Sequence, residues 1–422
     1  MARRMPAVAL VSLMVGLIPS IAEAATMTVG QADADVIGTD NTAIQQALDA
    51  VAERGGGEVV IRAGEYVLHN AVFLRSGVTL RGEGEVVLRK DAGFVRPFTS
   101  DCGFGYDRVK VADPGEWRVG WGVTLKDDRN GGGFDANVRT IAAIEGDVLV
   151  LDEAVSEDYC VTRNAIVQHT FPCIAGLECE RAQVVDITCD GNRDENPPLD
   201  GCRGGAIYLL KSPHCAIRGC TGRRFNGDGI SFQVCPYTTV IGCRAIANAG
   251  LGLHPGSGSH HSEITDCEAA ENDSDGLFLC WRVAHSRFAR NHVRDNGGQG
   301  ISIGHQDTDN LFVGNSVERN RGCGVLFRPE PDYNAGHRCM FRDNRFADNS
   351  DQEGAAIRIE GATTGTRFEG NVITDSRGAE APPVAFHVGP EASDVIAEGN
   401  QVEGFAQLVR NESASTDIRI SP

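Results

Sequence analysis

The sequence predicts an all-β fold in which the chain coils into a solenoid of stacked parallel strands, and three observations carry that expectation. An asparagine or cysteine recurs at Cys220, Cys243, Cys267, Asn291, Asn315, Asn344, Asn371 and Asn400, at intervals of 23, 24, 24, 24, 29, 27 and 29 residues. In step with it a small residue followed by apolar-x-apolar returns as Gly229-Ile-Ser-Phe232, Gly250-Leu-Gly-Leu253, Gly276-Leu-Phe-Leu279, Gly300-Ile-Ser-Ile303, Gly324-Val-Leu-Phe327, Ala356-Ile-Arg-Ile359 and Ala385-Phe-His-Val388. No helical period survives between residues 184 and 410, so these regular coils read as short strands of period two, punctuated by Gly, Asn and Asp. One such coil cannot bury its inner face; a stack of them can.

From the N-terminus, residues 1–24 read as an export signal. Arg3 and Arg4 precede an apolar run from Ala7 to Ile21 and the small-residue pattern Ala22-Glu-Ala24. Nothing around the arginines extends them into a twin-arginine signal. The run is shorter than the roughly 20 residues that span a bilayer, and no second run follows. The expectation is a secreted or periplasmic protein without a membrane span, with residues 25–422 as one domain. Residues 42–54 should cap the open end of the solenoid as a helix. Thr42-x-x-Gln45 reads as a capping box, Ile44, Leu48 and Val51 share one face, and Gly55-Gly-Gly57 stops it. Strands then begin at Val59 and Val78. Between residues 94 and 171 the repeat vanishes, and a hairpin of Ile141–Ile144 with Val148–Leu151 marks an inserted β-module. That module either walls a substrate groove or is a packing excursion.

Composition agrees with a thin core. Aromatics are 6% of the chain while glycine reaches 51 residues, which suits Val, Ile and Leu enclosed by tight turns. A net charge of −19 disfavours a nucleic-acid partner and requires any anionic substrate to be held by a local cationic patch or a bound metal ion. The 14 cysteines permit disulfides, but Cys220, Cys243 and Cys267 occupy one repeated position and read as a buried thiol ladder continued by asparagines. A monomer is expected.

Asp40-Asn-Thr-Ala-Ile-Gln-Gln-Ala-Leu48, then Gly55-Gly-Gly-Glu-Val-Val-Ile-Arg-Ala-Gly-Glu-Tyr66 and the Asn/Gly-rich coils, resemble the pectate lyase superfamily over nearly the whole mature chain. The resemblance implies a right-handed parallel β-helix. It leaves the reaction open among lyases, glycoside hydrolases, epimerases and non-catalytic repeats. Asn226-Gly-Asp228-Gly229 is similar to the first acidic signature of the polygalacturonases, but the next coil lacks the paired aspartates that should follow it.

If the apolar residues point inward, the residues after them line an outer strip read as Gln233, His254, Cys280, Gly304, Arg328 and Glu360, with Arg282, His305, Asp307 and Glu330 beyond. Stacked coils lie about 4.8 Å apart, so four of them offer a strip for a few sugar units. His254, Arg282, His305 and Arg328 concentrate basic groups on an acidic protein. The expected function is cleavage of a uronate-containing polysaccharide by β-elimination. Arg282 and Arg328 would clamp the carboxylate, His254 serve as base and His305 as acid, with the two histidines interchangeable. Hydrolysis would need a carboxyl pair instead, for which Asp307 with Glu330, or Asp228 with Asp275, are the candidates. A non-catalytic carbohydrate-binding scaffold is the third reading. Gln233, Trp281, Phe278, Asp228 and Asp275 are expected to contact substrate. Asp307 and Asp309, with Asn310, are candidate oxygen ligands for calcium, and the His and Cys residues show no recognised zinc-ligand spacing.

Overall fold

The structure, a computed structural model, describes residues 25–349, 354–378 and 381–421. The expected export signal, residues 1–24, lies outside the described residues. Short strands stack coil on coil in parallel, as in Ile230–Gln233 on Ile207–Leu210 and Leu253–Gly256 on Ile230–Gln233. One sheet of 11 strands runs from Val72–Phe73 through Ile174–Leu177, Ile301–Ile303 and Val325–Phe327 to Gln407–Asn411. This sheet carries the candidate site and is called the site sheet below. Two further columns of three-residue strands close each coil, for example Arg287–Ala289 and His292–Arg294.

The recurrent asparagine sits in the bend between those two columns. Asn291 Nδ2 donates to the Ile264 carbonyl (2.9 Å), and its Oδ1 accepts from the Cys267 amide (3.0 Å). Its own amide and Nδ2 both donate to Asn315 Oδ1 in the next coil, and the pattern continues to Asn344, Asn371 and Asn400. A sharp bend frees main-chain groups that the ladder cannot pair, and one buried amide per coil satisfies them. Cys243 and Cys267 fill the same place in earlier coils, the Cys243 amide donating to Cys267 Sγ at 3.4 Å. The residue ahead of each ladder position is left-handed, which selects Gly219, Gly242, Gly314 and Gly370, or a polar residue such as Asp266. A second asparagine ladder, Asn248, Asn272, Asn296, Asn320 and Asn349, holds another corner.

Inside, one column reads Ile217, Val240, Ile264, Phe288, Phe312, Phe341 and Phe368, all wholly buried. The helix Asn41–Glu53 closes the N-terminal end with Ile44, Leu48 and Val51 against the core. Its N-cap is Asp40, whose carboxylate accepts from the amides of Thr42 and Ala43. The Thr42–Gln45 capping box does not form, because the Gln45 side chain is spent on the Phe73 amide and carbonyl, tying the helix to the site sheet.

Residues 95–168 form a separate six-stranded antiparallel sheet with its own core of Trp117, Val123, Leu125, Ile141, Leu149 and Val167. Its hairpin pairs Asn137–Glu145 with Val148–Leu151. Against the site sheet it encloses a groove of about 390 Å³, between Arg139, Thr140 and Asp152 on the module and Ala175, Leu177, Tyr208 and Lys211 on the coils. The module therefore borders a concave groove on the coils. Among the described residues no helix is long and apolar enough to cross a membrane.

Candidate functional site

Outer-face residues of the site sheet fall into two columns, and their register corrects the sequence reading. Leu253 pairs with Ile230 and with Leu277, so His254 stacks beside Ser231. Gln233, Gly256 and Cys280 form the neighbouring column, because Gln233 pairs with Gly256 and Gly256 with Cys280. The phrase Gly250-Leu-Gly-Leu253 misled. Leu251 and Gly252 belong to the turn before the strand, where their carbonyls accept from Gly229 and Ile230, so the inward pair begins two residues later.

Four coils bring the proposed basic residues onto one face as a chain of contacts. The His254 ring meets Phe278 edge-on at 5.6 Å, and the Arg328 guanidinium lies 4.4 Å from the Phe278 centroid. Arg328 Nη2 is 3.4 Å from His305 Nδ1, the His305 ring packs 5.6 Å from Trp281, and Arg282 lies over Trp281 at 5.7 Å. Within that chain the environments differ sharply.

His254 is 3% exposed, with Nδ1 2.7 Å from Asp228 Oδ2. Burial opposes its charge, but the hydrogen bonds it donates to Asp228 and Cys280 outweigh burial and raise it to about 10, so the ring is cationic at neutral pH. A covered imidazolium is no base, and the expectation that His254 abstracts the substrate proton is corrected accordingly. Asp228 Oδ1 accepts from the Leu251 amide, and Asp275 Oδ1 from the Gln299 amide. Each aspartate thus anchors the next coil.

Arg328 spends its Nη donors on the protein, while its buried Nε has no partner among the described residues. Nη1 donates to Ser302 Oγ and Nη2 to the Leu279 carbonyl, both at 2.8 Å, and Nη2 faces Asp307 at 3.4 Å. It lies flat across Gly304, where a Cβ would stand 2.8 Å from Nε. That geometry makes Arg328 a support for His305 rather than a carboxylate clamp. Asp307 is wholly buried and accepts from the Val283 and Gly304 amides; burial pushes its carboxyl up to about 8 against Arg328 and those amides. Glu330 is the more exposed of the pair and faces elsewhere, with Oε1 2.7 Å from His305 Nε2. Asp307 with Glu330 is therefore not a carboxyl pair open to water. Asp309 is held by Arg338 through two hydrogen bonds at 2.7 and 2.8 Å. Asp307 and Asp309 do not converge, and the expected calcium site is not formed by them.

The open part of the chain is Trp281, Arg282, His305 and Glu330. Trp281 is 47% exposed and Arg282 is also exposed. Trp281 and Arg282 are both left-handed, as are His305 and Gln306 one coil on. Among the described residues these are the two places where successive non-glycine residues adopt that conformation. The corners are joined by the Arg282 amide donating to the His305 carbonyl at 2.8 Å.

Sequence reasoning missed Cys202. The segment 191–206 crosses the outer face and sets Cys202, His254 and Cys280 within 4.8 Å of one another. Contact with Cys202 and with His254 lowers Cys280 to about 4, and Cys202 is raised in turn. Gln233, expected to meet substrate, is wholly buried in the same cluster, with Nε2 3.3 Å from His254 Nε2. Cys202 belongs to no repeat, so no periodicity signals it.

A family model described as right handed beta helix region matches residues 187–328. Among solved structures, the A-module of the mannuronan C-5 epimerase AlgE4 of Azotobacter vinelandii superposes with a TM-score of 0.60 at 17% identity, covering 93% of this chain and 100% of that one. The A-module of the mannuronan C-5 epimerase AlgE6 of the same organism gives 0.58 at 16% identity over 92% and 97%. The Dettilon tailspike protein gives 0.59 at 12% identity over 93% and 68%. No curated protein matches by sequence. Identities this low speak for the fold and leave the chemistry to the residues described above. With its stacked parallel coils, the chain has the right-handed parallel β-helix fold.

Proposed function

We propose that the protein is an enzyme acting on an anionic, uronate-containing polysaccharide laid along the outer face of the site sheet. The reaction proposed is β-elimination. The observation that carries this reading is the pair of left-handed corners that project Trp281, Arg282 and His305 side by side. Such conformations cost about 1–3 kcal/mol each and persist where the surrounding structure enforces them, which favours a functional role over a casual turn.

The roles follow from the environments. Trp281 offers a flat face for a sugar ring, and Arg282 an unburied guanidinium for its carboxylate. His305, with Glu330 on Nε2, has Nδ1 left to take the weakly acidic proton beside that carboxylate. Arg328 holds the His305 ring through Nδ1 in the free protein and would yield that atom as substrate enters. The electron pair released at that carbon forms the double bond as the glycosidic oxygen leaves, taking up the proton that His305 has just accepted. Further along the face, the groove beside Arg139, Arg203 and Lys211 would hold more of the chain. The structural likeness to a mannuronan C-5 epimerase supports a uronate polymer as substrate class, and epimerisation shares the same first proton transfer. Residues 1–24, read as an export signal, support a secreted or periplasmic site of action.

The test is incubation with a panel of uronate polysaccharides in deuterated water. The expected result is ultraviolet absorbance from an unsaturated uronate, abolished in His305→Ala. Deuterium entering the carbon beside the carboxylate without that absorbance would redirect the reading to epimerisation. New reducing ends without either signal would overturn proton abstraction in favour of hydrolysis, and binding without product would leave a scaffold.

A further inference from the structure

Cys202, His254 and Cys280 come from three separate coils, yet their two sulfurs and an imidazole nitrogen all lie within 4.8 Å of one another. Thiolate and imidazole ligands sit at about 2.3 and 2.0 Å from a tetrahedral zinc ion, which places neighbouring ligands roughly 3.5 to 4 Å apart. The trio needs only a small contraction to reach that geometry. Among the described residues no other trio of His, Cys, Asp or Glu side chains converges in this way.

The surroundings are built for a cation rather than for two thiols alone. Asp228 Oδ2 holds His254 Nδ1 at 2.7 Å, which fixes the ring and leaves Nε2 as the nitrogen for a metal. Gln233 is wholly buried, and its Oε1 has no hydrogen-bond partner. Its side chain crosses the space above Gly256, where a Cβ would stand 2.3 Å from Oε1, and so reaches toward Cys280 in the same column. A half-turn of the amide would put Oε1 where Nε2 now lies, 3.3 Å from His254 Nε2. The segment bearing Cys202 is fixed in advance. The Cys202 amide donates to Asp200 Oδ1 (2.8 Å), its carbonyl accepts from the Tyr208 hydroxyl (2.7 Å), and a Cβ on Gly201 would overlap the Asp228 carboxylate. A disulfide would use the sulfurs but leave the Asp228–His254 pair and the orphaned Gln233 oxygen without purpose.

We propose that Cys202, His254 and Cys280, with Gln233 beside them, bind one soft d10 cation, zinc(II) or copper(I), which clips segment 191–206 to the site sheet. The inference stands apart from the polysaccharide reading. The clip fixes Arg203 and Tyr208, which line the groove, and binding releases the Cys202 thiol proton and the His254 Nε2 proton as the metal–sulfur and metal–nitrogen bonds form.

The test uses the full chain, reduced and stripped of metal. It is titrated with cobalt(II) as an optical stand-in for zinc, and separately with zinc(II) and copper(I) against a competing chelator. One equivalent of cobalt per chain is expected, with a thiolate-to-cobalt charge-transfer band that Cys202→Ser and Cys280→Ser each abolish. Asp228→Asn should weaken zinc binding about 10- to 100-fold. The cation retained against the chelator names the native one, and retention of neither overturns the proposal. It is equally overturned by an unchanged band in Cys202→Ser, or by a Cys202–Cys280 disulfide that persists in the folded, reductant-treated protein. If Cys280→Ser does not fold, Cys202→Ser, on the crossing segment, decides alone.

Discussion

Glu330 Oε1 stands 2.7 Å from His305 Nε2 on the outer face of the solenoid, the one histidine–carboxylate contact of the candidate site that is open to solvent. A carboxylate on one imidazole nitrogen fixes the tautomer and leaves the other nitrogen basic. His305→Ala and Glu330→Gln should each lower turnover on a uronate polymer at least about tenfold, the 1.4 kcal/mol of one modest transition-state contact. Because neither residue is in the core, the melting temperature should hold. Glu330→Gln should also displace the pH–rate profile, which separates a role through His305 from a general loss of structure. Wild-type turnover in both variants would move the chemistry elsewhere.

Arg282 and His254 should behave oppositely. Arg282 is exposed over Trp281, so Arg282→Ala is expected to raise KM or lower kcat/KM about tenfold with unchanged stability. His254→Ala leaves the Asp228 carboxylate buried without its partner, a loss of about 3 kcal/mol or more. Denaturant titration of the metal-free proteins distinguishes the two outcomes. A stable His254→Ala with the midpoint of the parent would show that Asp228 is satisfied without the imidazole.

The coil repeat was legible because each ladder asparagine does the same work at the same place. Asn320, for instance, donates from Nδ2 to the Val293 carbonyl and to Asn349 Oδ1, and accepts at Oδ1 from Asn296. Local chemistry of that kind repeats in the sequence. The register of the site sheet was harder to read, because the turn before Leu253 is built from the same Gly and Leu as the strand, and counting from Gly250 displaced His254 by one pair. Asp307 was read as a surface acid because it follows a strand. In the structure it turns inward to cap Val283 and Gly304, a difference of side-chain direction that composition does not encode. The Cys202 cluster was invisible for another reason. Its members meet only because a non-repeating crossing segment folds over two coils, so no spacing rule applies to it.

Replacing a ladder asparagine should cost more than replacing a ladder cysteine. Asn320→Leu strands the Val293 carbonyl and the Asn296 amide in the interior, and each buried unpaired group costs about 1–3 kcal/mol. Cys243→Ala removes a weak donor to the Ile217 carbonyl and a small volume, so about 1 kcal/mol is expected. Chemical denaturation of both variants checks the order; equal losses would mean that the asparagines serve as filler.

Lys90 gives the fold a pH dependence of definite sign. Its ammonium is wholly buried, donating to Thr170 Oγ1 at 2.8 Å and Asn226 Oδ1 at 2.9 Å and lying over the rings of Phe171 and Phe225. Burial lowers it from 10.5 to about 7, opposed weakly by Cys173. Between those values the unfolded chain binds more protons than the native one, so the unfolding free energy rises as pH increases from about 7 toward 10.5. Below pH 7 the penalty is present in full and constant. Lys90→Met should remove this part of the slope, read as the difference between variant and parent across pH 7 to 10. A parallel pair of curves would show that the amine is charged throughout.

The aromatic stack bears on how stability is distributed along the solenoid. Phe288, Phe312, Phe341 and Phe368 come from successive coils with centroids 4.8, 4.5 and 4.6 Å apart and near-parallel rings. Each ring therefore belongs to two coil interfaces. In a chain where a coil touches only its neighbours, loss of one interface separates the array into two blocks. Phe341 is the centre of the stack and also meets Phe327 and Phe346. Phe341→Ala should cost about 3–5 kcal/mol, the loss expected for emptying a ring-sized site in a packed core. It should also split unfolding into two transitions, with the coils after Phe341 melting first. Hydrogen exchange resolved along the chain would show early protection loss beyond residue 341, while the site strands Leu277–Phe278 and Ile301–Ile303 stay closed. A single cooperative transition with uniform exchange would mean that coupling between coils extends past nearest neighbours.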